Sequence, residues 1–148
     1  MSDRRPPKRL PNIHLAVFTY AGVEPDTMSC VVQELFQAAQ REIPIQLSHH
    51  SEDALISRSR SRALSILTRP EAADVMVMVD RDIAWQIGDV ADIAFAAVEK
   101  NALVGGICSY RQIGGRGGIA SRLPDVSTEV NIGGLQFHPA EFLGSGFL

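Results

Sequence analysis

The chain has 148 residues, 45% of them hydrophobic and 21% charged. That is enough for one compact domain with its own core, and it excludes a disordered chain. No apolar run approaches the roughly 20 residues that a membrane-spanning helix needs, so an integral membrane protein is not expected.

Residues 1–12 are polar, basic and proline-rich and do not form the apolar core of a signal peptide. Cys30 and Cys108 are too few for a disulfide scaffold. A reducing, cytoplasmic setting is therefore expected. The formal net charge of −3 is unevenly spread. Arg4, Arg5, Lys8 and Arg9 face one acid, Asp3, within the first ten residues. Taking these from totals of 14 bases and 17 acids leaves 10 and 16, a body charge of −6. An acidic body argues against nucleic-acid binding. Residues 1–11 read as a solvated basic tail and residues 12–148 as one α/β domain.

Ile13 to Thr19 is mostly apolar and predicts a first strand, closed by a turn at Tyr20-Ala21-Gly22. From Pro25 to Gln40, Met28, Val31, Val32, Leu35, Phe36 and Ala39 recur at three-and-four spacing, an amphipathic helix with Pro25 and Asp26 at its start. Ile43 to Leu47 predicts a short second strand. A second helix is expected from Ser51 to about Thr68, before Pro70. Val75 to Val79 is five consecutive apolar residues, the pattern of a central strand covered on both faces. Gly88 to Lys100 predicts a third helix with Asn101 as its cap, and Ala102 to Tyr110 another strand. The glycine-rich stretch 114–118 reads as a flexible loop, and Val130 to Phe137 as one further strand. The alternation of strand and helix predicts a layered α/β fold with a mainly parallel sheet.

The sharpest candidate for chemistry is Asp80-Arg81-Asp82, directly after the apolar strand. In extended chain, residues two apart point the same way, so Asp80 and Asp82 are expected to share a side. The carboxyl end of a strand is where open α/β sheets bind ligands. Two adjacent carboxylates repel, and Mg²⁺ or Mn²⁺ would relieve that repulsion. A solvated acidic turn is the simpler alternative.

On the second helix, at about 100° per residue, Arg58 and Arg62 fall on the exposed side, while Arg60 falls near Ile56, Ala63 and Leu67. A buried guanidinium needs an anion, so Arg60 is a candidate partner for Asp80 or for a bound ligand; the alternative is an arginine that snorkels outward. Thr19 and Tyr20 lie at the same sheet edge as Asp80, where the tyrosine could stack on a base or simply close the core. His49 and His50 could reach that edge too. His138 is less informative. Trp85 either lines the acceptor side or anchors the next helix.

Ala54 to Leu64 resembles the Ala-Arg-Asn helix of A-type glycosyltransferases, especially small bacterial and phage ones. Val77 to Ile83 is similar to their Asp-x-Asp strand end, Leu103 to Tyr110 to their next strand, and Phe142 to Leu148 to their Val-Gly-Thr-Gly-Phe segment. The resemblance implies a Rossmann-like nucleotide-diphospho-sugar transferase fold, a nucleotide-diphosphate-sugar donor and a divalent metal, Mn²⁺ or Mg²⁺. By that likeness Asp82 binds the metal, Asp80 the metal or the donor ribose, and Arg60 the donor diphosphate or base, with Thr19 and Tyr20 bordering the base. Ser61 departs from the family, which usually has asparagine there. The family also continues past the Gly-Phe-Leu segment, so the chain reads as a donor-binding half with its acceptor half incomplete. The acceptor (glycan, lipid or protein) and the catalytic base stay open. Two other readings stay open: a phosphatase or phosphotransferase on the same edge, with Asp80 as nucleophile and Asp82 as acid/base, and a non-catalytic nucleotide-binding or assembly module.

Overall fold

A computed structural model describes residues 9–51 and 55–105, together with the backbone of 120–122, 130–132, 135–137 and 140–143. All six residues of the first strand, β1 (Ile13–Phe18), are buried. It pairs in parallel with β2 (Ile45–His50) on one edge and β3 (Val75–Asp80) on the other. The described sheet therefore has the order β2-β1-β3. The expected parallel α/β core is present, and among the described strands β1 holds its middle. The second strand also begins and ends later than its apolar run suggested.

Helices α1 (Pro25–Gln40), α2 (Ile56–Leu64) and α3 (Asp89–Lys100) flank the sheet, and a short 3-10 turn, Ser65–Thr68, extends α2. Successive side chains of a strand alternate between faces. Accordingly Ile13, Leu15 and Val17 pack with Val31 and Ala38 of α1 and Val90 and Ala94 of α3. Ala16 and Phe18 pack with Ala63 of α2 on the opposite face. Each large aliphatic side chain taken out of water here contributes about 1.5–3 kcal/mol. Gly88 and Asn101, both at positive φ, bound α3 where the sequence placed its ends.

The face that α1 buries matches expectation in part: Val31 is buried and Leu35 packs against the core. Thr27, Val31, Glu34 and Ala38 are inside, while Met28, Val32 and Phe36 are 47%, 59% and 66% exposed. The reason is Glu34. Its Oε2 accepts hydrogen bonds from Trp85 Nε1 at 3.2 Å and from the backbone N–H of Gly88 at 2.7 Å. That carboxylate ties α1 to the start of α3, and turns the helix by one residue from its most apolar stripe.

The described residues end the basic segment earlier than expected. Pro11 is buried, Arg9 lies 3.6 Å from Asp74, and Asn12 N donates to Asp74 at 2.7 Å. Ala102–Gly105 is not a strand, and 106–110 lies outside the described residues, as does the glycine-rich stretch 114–118. Val130 to Phe137 is not one strand but two, β5 (Val130–Ile132) and β6 (Leu135–Phe137), paired antiparallel. Two strands that no pattern announced, β4 (Ala120–Arg122) and β7 (Ala140–Leu143), also pair antiparallel. Residues 144–148 lie outside the described residues. No described helix is long and apolar enough to cross a membrane.

Candidate functional site

Parallel pairing brings three strand ends level. Phe18 stands opposite His50 on one side and Asp80 on the other. The chain first moves from β1 to β2, then crosses back to place β3 on the far edge of β1. The direction of winding reverses between β1 and β3, with α1 and α2 on opposite faces. Beyond the carboxyl ends of such a strand pair lies the crevice where α/β sheets take ligands. Asp80 is the last residue of β3, at that end of the sheet.

Arg60 of α2 reaches this position. Its Nη2 donates to Asp80 Oδ1 at 2.7 Å, with the two side chains 14% and 24% exposed. The expected pairing of these residues is thus formed, though not on the expected helix face. Ser59 and Ala63 are the buried residues of α2, whereas Ile56 is 48% exposed. Next to the pair, the Arg60 guanidinium sits 5.8 Å above the Phe18 ring. Phe18 in turn stacks on His50 at 5.0 Å and 20°. A continuous row, His50–Phe18–Arg60–Asp80, crosses all three strand ends. Burial raises the Asp80 pKa above the ordinary carboxylate value; Arg60 opposes that shift and Asp82 adds to it.

Asp82 does not continue the strand. β3 stops at Asp80, and Ile83 N donates back to Asp80 O at 3.2 Å, which makes a turn of the intervening residues. The expectation that the two carboxylates share one side by strand alternation therefore fails. They are neighbours through a turn, close enough for Asp82 to act on Asp80. Between them, the Arg81 guanidinium lies 3.4 Å from Glu24 Oε1 and from Gly22 O. Glu24 N donates to Arg81 O at 2.9 Å. Arg81 thus stitches the loop after β1 to the loop after β3.

Among the described residues, no three His, Cys, Asp or Glu side chains converge on a common point. Two carboxylates suit a hard cation that draws its other oxygens from phosphate and water. That donor set fits Mg²⁺ or Mn²⁺ brought with a phosphorylated ligand.

Thr19 is buried, and its hydroxyl is committed to the turn. It donates to Gly22 O at 2.6 Å and accepts from Gly22 N at 2.7 Å. Gly22 is at φ 110°, a region that favours glycine. Thr19 N also donates to His50 O at 2.9 Å, tying β1 to β2 at the edge. Tyr20, 72% exposed, stands at the tip of this braced turn.

Other residues take clear places. Trp85 anchors the α1–α3 junction through Glu34, and Cys30 Sγ donates to Trp85 O at 3.4 Å. His138 lies outside the described residues. Sequence reasoning missed His14, Ser48 and Phe18. The signal for Ser48 was the polar alternation Gln46-Ser48-His50, which marks one face of an edge strand. A cavity of about 680 Å³ runs along β3, lined by Leu67, Met76, Ile93, Val98 and Leu103 among others, with neither Arg60 nor Asp80 in its wall. Comparison of the chain with protein-family models, curated proteins and solved structures found no match.

Proposed function

We propose that the chain is the donor-binding domain of a metal-dependent glycosyltransferase of the Rossmann-like A type. It would bind a nucleotide-diphosphate sugar and transfer the sugar to an acceptor. One observation carries the reading: the Arg60–Asp80 pair stands at the carboxyl end of β3, beside the strand-order reversal. In this reading Asp80 and Asp82 hold Mg²⁺ or Mn²⁺, which supplies Lewis-acid neutralisation of the leaving diphosphate. Arg60 would offer its planar fork to the diphosphate. Tyr20 stacks on the base, and Thr19 serves by holding the turn that presents it.

The test is calorimetric titration of the full chain with UDP, GDP and their sugars, with and without Mn²⁺. Binding that requires the metal and disappears in Asp82→Ala supports the proposal. Failure of every nucleotide diphosphate to bind overturns it.

A further inference from the structure

A second polar constellation lies on the same face of the sheet, on β1 and β2. Ala16 stands opposite Ser48 and Phe18 opposite His50, with His14 two residues back along β1. His14 Nε2 is 2.7 Å from Ser48 Oγ, and His50 Nε2 is 2.8 Å from the same oxygen. One hydroxyl therefore sits between two imidazoles.

The direction of its proton follows from burial. His14 is 6% exposed, and its Nδ1 is buried without a hydrogen bond. A bare lone pair is tolerated there better than an unsatisfied N–H. We assign the His14 proton to Nε2, from which it donates to Ser48 Oγ. With that assignment, the serine's one proton points to His50 Nε2. His50 is fixed in turn by its stack on Phe18 and by the backbone bond from Thr19 N. A hydroxyl within hydrogen-bond reach of a base is the arrangement of activated hydroxyls in general.

We propose that Ser48 is a nucleophile with His50 as its general base, and that the pair accepts an acyl group from an activated ester or thioester. The two imidazoles beside the hydroxyl are neutral, which suits an uncharged carbonyl rather than a phosphoryl group, whose oxygens need a cation. In the first step the Oγ–carbon bond forms as the hydroxyl proton moves to His50 Nε2. The carbonyl's bond to its leaving group then breaks, and the leaving group takes that proton. Water reverses the sequence: it adds to the acyl carbon, gives a proton to His50 Nε2, and Ser48 Oγ leaves with it. His14 is a positioning residue, which orients the hydroxyl.

The ionisable groups that act on His50 are His14 on β1 and His49 on its own strand; Arg60 lies beyond Phe18, over its ring, and Asp80 at the end of β3 on the far side of β1. Burial, then His14 and His49, hold the His50 pKa below the ordinary histidine value, so the base is neutral at pH 7. Burial lowers that of His14 as well, against a smaller opposing effect of a side-chain hydrogen bond with Gln46.

The experiment uses the full chain and p-nitrophenyl acetate, with nucleotides and metal absent, so that it stands or falls apart from the glycosyltransferase reading. A burst of p-nitrophenolate is expected, with the acetyl group mapped to Ser48 by peptide mass. The burst rate should fall on acidification as His50 becomes protonated. His50→Gln should slow it about 100-fold, at an unchanged melting temperature. In His14→Gln the midpoint of the pH profile should rise, because one cause of the lowered His50 pKa is gone. Ser48→Cys keeps the side-chain shape and should carry the acetyl group on sulfur with the same dependence on His50. No adduct at position 48 in either protein, or a rate indifferent to His50→Gln, overturns the proposal.

Discussion

The guanidinium of Arg60 and the carboxylate of Asp80 meet at 2.7 Å across 20 residues of chain. Burial nonetheless outweighs the pairing, and the Asp80 pKa is raised, not lowered. Removing the opposing cause should raise it further. A carboxyl-carbon NMR titration of Arg60→Met should place Asp80 higher than in the parent chain, and Asp82→Asn should place it lower. The stability sign follows. A group whose folded pKa exceeds its unfolded value contributes fully below the unfolded pKa, and loses that contribution as pH rises through the folded one. Asp80→Asn should therefore gain on the parent chain across that acidic window in urea denaturation. A difference that stays flat with pH would refute this.

Glu34 is 1% exposed and holds two donors from another part of the fold. Glu34→Ala leaves Trp85 Nε1–H and Gly88 N–H without their acceptor, at a cost of about 1–3 kcal/mol for each group that stays dry. Glu34→Gln keeps the shape and one acceptor oxygen, and should fall in between. Thermal melts of the three proteins check the ranking, and Trp85 fluorescence should change with the alanine variant.

Thr27 presents the opposite situation. It is 1% exposed, and its hydroxyl is buried without a hydrogen bond. Thr27→Val replaces an unsatisfied oxygen by a methyl group of similar size. The expected result is a gain of about 1 kcal/mol or more, seen as a higher urea midpoint with unchanged slope. A loss of stability would mean that the hydroxyl has a partner in solution.

Much of the scaffold was legible in the sequence because it rests on local rules. Apolar runs and helical spacing set β1, α1, β3 and α3 close to their observed limits. The position of Arg60 on its helix, and of Asp80 after its apolar strand, suggested that they would meet. What residue spacing could not decide were the choices made by distant partners. Helix α1 offered two faces, and the more apolar one lost because Trp85 and Gly88 supply donors for Glu34. The Asp80–Asp82 relation depended on where β3 stopped pairing with β1, and the turn there cancels strand alternation. His14, Ser48 and His50 met only through the register of β1 against β2, which no spacing within a single strand contains. Local propensity depends on neighbours in the chain, whereas a buried polar group is placed by whatever the fold brings to satisfy it.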